Sequence, residues 1–78
     1  MRPTSAKPSR RHAKQARSQE TLRIVLEAAA QVLVREGYAR ATTNRIAEVA
    51  GVSVGTIYQY FANKDVLFDA LIQRYFNE

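Results

Sequence analysis

Thr43-Asn44-Arg45-Ile46-Ala47-Glu48-Val49-Ala50-Gly51-Val52-Ser53-Val54-Gly55-Thr56-Ile57-Tyr58-Gln59-Tyr60 is the stretch on which the fold turns. Thr42 and Thr43 can cap a helix whose apolar positions are Ile46, Ala47, Val49 and Ala50. Gly51 ends that helix, because glycine reaches positive φ at little steric cost. Val52-Ser53 is too short for anything but a tight turn. Ser53 can cap the next helix, which runs to about Tyr60 or Phe61. Two short helices joined through a glycine turn describe a helix-turn-helix. Counted from Thr43, the fifth residue is Ala47, the ninth Gly51 and the fifteenth Ile57. A small residue at Ala47 lets the helices cross closely. Ile46, Ala50, Val52, Ile57 and Tyr60 close a small core between them.

On the N-terminal side, Leu22, Val25, Leu26, Ala29, Val32 and Leu33 recur at helical spacing, with Arg23, Glu27, Gln31 and Arg35 opposite. Ser18 as cap, Glu20 in the first turn and Gly37 as stop predict a first helix over 18–36. Tyr38 is placed to fold back onto the end of that helix. On the C-terminal side, Asn63 can cap a fourth helix with Asp65 in its first turn, and Val66, Leu67, Ala70, Leu71 and Tyr75 form its stripe. No stop signal closes this helix, so the expectation is that the protein continues beyond Glu78. No stretch shows sustained strand alternation. The reading is an all-α, homeodomain-like bundle of about four helices.

Residues 1–17 differ in kind. They hold six of the twelve Lys and Arg residues and none of the seven acids. They carry Pro3 and Pro8 and almost no large apolar side chain, so burial cannot offset ordering entropy. The expected division is a basic disordered arm over 1–17 and a helix-turn-helix domain over 18–78. The rest of the chain has six bases against seven acids, so the positive charge is an appendage suited to a polyanion. The arm lacks the apolar run of an export signal, and no stretch approaches the ~20 apolar residues of a membrane span. The expected location is the cytoplasm, at the nucleoid.

The functional reading rests on the helix from Ser53 to Tyr60. Its outer face offers Ser53, Val54, Gly55, Thr56 and Gln59, all short or uncharged, which a DNA major groove can admit closely. Gly55 costs roughly 1 kcal/mol of helix propensity against alanine; close approach to DNA would account for it, the alternative being a glycine merely tolerated in a first turn. Thr43, Tyr58, Tyr60 and Lys64 surround this helix as donors to phosphate, joined by free amides at the start of the fourth helix. The tyrosines also have a core reading. Arg10, Arg11, Lys14 and Arg17 can reach a minor groove or flanking phosphates as a basic arm.

Other classes find little. There is no cysteine and one histidine, so neither a disulfide framework nor a metal-ligand cluster is expected, and no cofactor is implied. No phosphate-cradling loop or activated nucleophile is present, which excludes an enzyme reading. A protein-interaction bundle and a membrane-surface tail are the remaining alternatives. The tail has no apolar residues to insert.

The run from Thr42 to Asp65, with Ala50-Gly51-Val52-Ser53, Gly55-Thr56, Tyr58-Gln59-Tyr60-Phe61 and Asn63-Lys64-Asp65, resembles the N-terminal domain of the TetR family of transcriptional repressors. Val25-Leu26-Glu27-Ala28-Ala29 and Gly37-Tyr38 extend the resemblance, which covers residues 25–71. It implies phosphate contacts at Thr43, Tyr58, Tyr60 and Lys64, and a base contact at Asn44. It also implies approach to bases or backbone at Ser53, Val54, Gly55 and Thr56. Arg45 is placed to serve a phosphate, or to pair with Glu48 or Glu20. The resemblance further implies a homodimer of the full-length protein on a near-palindromic operator. Dimerisation and an inducer site of unknown specificity would lie in a C-terminal helical domain absent from this chain, so the fragment itself would be monomeric.

Overall fold

The computed structural model describes the backbone of residues 10–76 and side chains from residue 16 onward. Four α-helices follow in order: α1 Arg10–Glu36, α2 Thr43–Ala50, α3 Val54–Tyr60 and α4 Lys64–Phe76, with a single 3₁₀ turn at Tyr38–Arg40. There is no strand among the described residues.

Helix α1 starts at Arg10, eight residues ahead of Ser18. The basic stretch from Arg10 to Arg17 therefore continues the helix rather than forming an unstructured arm. The physical reason is its composition. Between Arg10 and Glu36 there is no proline or glycine, and Ala13, Lys14, Gln15, Ala16 and Arg17 are good helix formers. Ser18 lies inside the helix and caps nothing. The part of the expected arm over residues 1–9 lies outside the described residues.

The remaining boundaries follow local chemistry. Gly37 takes φ 89° and its amide donates to the Leu33 carbonyl at 3.0 Å, closing α1. Thr42 Oγ1 accepts the Arg45 amide at 3.0 Å and starts α2. Gly51 ends α2 at φ 77°, and the Ala47 carbonyl receives both the Gly51 and Val52 amides, at 2.9 and 3.0 Å. Such doubly used carbonyls mark a left-handed C-cap that glycine makes at low cost. Ser53 Oγ accepts the Thr56 amide at 3.1 Å, and Asn63 Oδ1 the Val66 amide at 3.0 Å.

The core gathers one face of each helix. Val25, Leu26, Ala28, Ala29 and Val32 from α1 meet Ala41, then Ile46 and Ala47 from α2. Ile57, Phe61, Leu67, Phe68 and Leu71 complete it. Each fully buried aliphatic side chain contributes roughly 1.5–3 kcal/mol relative to exposure. Two expectations about faces need correction. Val49 is exposed: a two-turn helix buries Ile46 and Ala47, and the next turn presents Val49 to solvent. In α4, Val66 and Tyr75 are exposed while Phe68 is buried, so the stripe is Leu67-Phe68-Leu71.

Candidate nucleic-acid interface

Helix α3 has one residue that cannot be seen from outside. Ile57 is 0% exposed and belongs to the buried core cluster that Ile46, Phe61 and the α1 residues also form. Burying Ile57 turns the opposite side of α3 to solvent. Ser53, Gly55, Tyr58 and Gln59 are exposed there, with Thr56 half-buried. Val54 is half-buried and packs against the core, so only part of its surface is presented. Ser53 and Thr56 hydroxyls are 3.0 Å apart, which fixes both side chains at the helix start.

Gly55 has no internal reason to be glycine. A Cβ built there meets only Ser53 Oγ, at 3.7 Å, an ordinary van der Waals contact, and its φ is not positive. The bare backbone faces open space. By contrast Gly51 is required by its positive φ.

Around this face the donors sort into two groups. Thr43 Oγ1 and Tyr58 Oη are 3.0 Å apart, joining the first turn of α2 to the outer side of α3. Tyr58 is 52% exposed, and either hydroxyl of the pair can turn to an incoming anion. Tyr60 is half-buried, with its ring 6.4 Å from that of Phe61 and packed against the core. Of the two tyrosines, Tyr58 is the one presented. Asn44 is exposed at the start of α2.

Lys64, Arg45 and the arm residues behave differently. Lys64 Nζ donates to the Tyr38 carbonyl and lies 3.8 Å above the Tyr38 ring, a cation–π arrangement. Arg45 is enclosed by carboxylates: Nε donates to both Glu36 oxygens at 3.1 Å, Nη2 to Glu36 at 2.6 Å and Nη1 to Glu48 at 2.7 Å. Arg45 thus makes the Glu48 pairing that is one of its two expected roles, and adds Glu36 to it. Glu20 is not its partner, because Glu20 pairs with Arg23 at 2.5 Å. The hydrogen bond from Arg45 holds the Glu36 carboxyl below its ordinary range. Arg17 is exposed on α1; the side chains of Arg10, Arg11 and Lys14 lie outside the described residues.

The pattern of bacterial regulatory proteins of the tetR family matches residues 25–71, which contain the whole of α2, the turn, α3 and the first half of α4. The chain belongs to the TetR family. It is 47% identical over 51 residues to an uncharacterized HTH-type transcriptional regulator, YvkB, of Bacillus subtilis, covering 65% of this chain and 27% of that protein. It is 46% identical over 55 residues to the HTH-type transcriptional regulator TtgR of Pseudomonas putida, covering 70% and 26%. It is also 49% identical over 39 residues to the nucleoid occlusion factor SlmA of Haemophilus ducreyi, covering 50% and 19%. The chain spans about a fifth to a quarter of the length of these relatives.

Within this TetR-family domain the structure adds a residue that sequence reasoning misplaces. Tyr38 turns to α4 instead of the end of α1. Its ring stacks on Phe68 at 5.1 Å, its hydroxyl donates to Asp65 Oδ1 at 2.7 Å, and Lys64 covers it. Donation to Asp65 favours the protonated phenol and raises its pKa. Tyr38 thereby ties the start of α4 to the turn after α1. The one sequence signal for this is an aromatic just past a glycine stop. Its partners lie 27 and 30 positions away and leave no local trace.

Proposed function

We propose that this domain binds double-stranded DNA sequence-specifically, with α3 in the major groove, as the reading head of a TetR-type transcriptional repressor. The observation that carries this reading is Gly55: a glycine with empty space around it, at the centre of an exposed face made of short side chains. A helix presented this way lets duplex DNA approach its backbone, and base edges are read from its first turn. Ser53, Gly55, Thr56 and Gln59 face the groove, with the uncovered part of Val54 beside them and Asn44 at its edge. The Thr43–Tyr58 hydroxyl pair and Lys64 take phosphates, and Tyr60 supports them from its half-buried place. Arg10, Arg11, Lys14 and Arg17 serve the flanking backbone or minor groove from the N-terminal extension of α1.

The full-length protein acts as a homodimer on a near-palindrome, at the nucleoid in the cytoplasm. Two-fold protein symmetry then matches half-sites one helical turn apart or a multiple of it. No helix among the described residues is long and apolar enough to cross a membrane. Repression follows where the occupied operator overlaps a promoter.

Selection of duplexes from a randomised pool, followed by gel shifts on the recovered sequence, tests the reading. A recovered half-site bound more tightly than unselected duplex is the expected result. Equal affinity for every duplex at moderate salt removes sequence specificity. Removal of residues 1–14 should weaken binding and flatten the dependence on salt, since fewer counterions are released. An unchanged slope would show that the basic extension makes no phosphate contact.

A further inference from the structure

Arg45 and Glu36 each occupy a position that helix electrostatics disfavours. Glu36 is the last residue of α1, where the helix end is partially negative. Arg45 is in the first turn of α2, where the helix end is partially positive. Either residue alone is on the wrong end of its helix. Together they neutralise each other across the corner between the two helices, through a guanidinium fork that engages both carboxylate oxygens. The Glu36 side chain is 27% exposed and that of Arg45 40%, against 71% for Glu48, so the Glu36 contact is the sheltered one.

The corner that this pair spans is held from inside by Ala41, Ile46 and Ala47 in the core and from the α4 side by Tyr38, and the Arg45–Glu36 pair closes its outer side. Between Glu36 and Arg45 lie Gly37 at φ 89°, one 3₁₀ turn and the buried Ala41. Helix α2 leaves this corner and passes its direction to α3 through the Gly51 turn. The Arg45 guanidinium is set between two carboxylates, so its charge is already answered within the protein, and Arg35 and Arg40 add further positive charge near Glu36. All three guanidinium nitrogens already donate.

We infer that Arg45 is a positioning residue for DNA recognition: clamped to Glu36, it sets the angle at which α2, and through it α3, is presented. This role rests on the DNA-binding reading above. It makes a prediction about Glu36 opposite to that of a phosphate-binding arginine. Freeing the arginine by Glu36→Gln would strengthen a phosphate contact but loosens a positioning clamp.

The experiment uses the 78-residue chain in three variants, Arg45→Gln, Glu36→Gln and the charge swap Glu36→Arg with Arg45→Glu in a Glu48→Gln background. Affinity for the selected duplex and for an unselected duplex is measured across salt concentrations. Amide NMR spectra of the free variants report on α3 independently of DNA. Each single substitution is expected to lower affinity for the selected duplex about tenfold, with the salt slope unchanged, and to shift the amide resonances of residues 54–60. The charge swap, which puts each charge on its favoured helix end, is expected to restore affinity to within about threefold. The proposal is overturned if Arg45→Gln lowers the slope by about one and weakens all duplexes alike while Glu36→Gln tightens binding. It is equally overturned if the single variants bind as the parent does, or if the α3 resonances do not move. A parent chain that selects no sequence instead refutes the DNA-binding reading; the α3 resonances then still decide whether the clamp positions the helix.

Discussion

The two sides of α3 make unlike demands on the same seven residues. Inward, Ile57 is fully buried, and Val54 and Tyr60 pack half-buried against the core. Outward, Gly55, Tyr58 and Gln59 stand in solvent, and Gly55 touches almost nothing. The inner side selects for volume and fit. The outer side selects for absence of volume. On the proposed reading, stability and recognition are thereby separated across about the 10–12 Å diameter of one helix, and a substitution on one side need not disturb the other. Ser53 belongs to both, because it caps α3 and sits at the rim of the presented face.

The sharpest way to break this separation is on the buried side. Ile57→Ala should cost about 2–5 kcal/mol of folding stability, from lost transfer energy and the cavity left behind. For a domain this small that is most of the total. Urea or thermal unfolding measures it; a loss below about 1 kcal/mol would mean the inner side is not the anchor. Gly55→Leu probes the other side. Its side chain enters open space, so the melting temperature should hold or rise slightly, while affinity for the selected duplex falls at least about tenfold. Parallel melts and gel shifts on one preparation check both halves; retained binding would show that DNA does not approach there.

Ser53→Ala should lower stability by about 1 kcal/mol through loss of the cap, and weaken binding with it. A fall in only one of the two would assign Ser53 to a single side. The smallest effect expected is with acid. Glu36 has its pKa lowered by the hydrogen bond from Arg45, so its contribution is present above the ordinary carboxylate value of 4.5 and fades as pH falls through the lowered one. Acidification should therefore narrow the stability gap between Glu36→Gln and the parent. Unfolding curves recorded from neutral pH downward test this, and a constant gap would show that the carboxylate does not contribute in this way.

The helix-turn-helix is legible in the sequence because its signals are local. Thr42, Gly51, Ser53 and Asn63 act on amides or dihedrals within a few residues, and all four do in the fold what their types imply. The exposure of Gly55, Tyr58 and Gln59 is legible for the same reason. Contacts set by distance along the chain are not. Arg45 finds Glu36 nine residues away around a corner whose angle no local pattern encodes, and Tyr38 finds Asp65 and Phe68 after two intervening helices. Phe68 escapes because a stripe drawn through Leu67 and Leu71 does not show which flank is covered. The start of α1 escapes because a serine that can cap a helix can also ride within one.

The core described above has no polar or charged side chain among the described residues. The apolar contacts that dominate this core are therefore weakened little by dissolved chloride, whereas attraction to a nucleic acid polyanion fades steeply as it is added. A concentrated chloride wash of an immobilised duplex should then return this domain intact and competent to rebind on dilution.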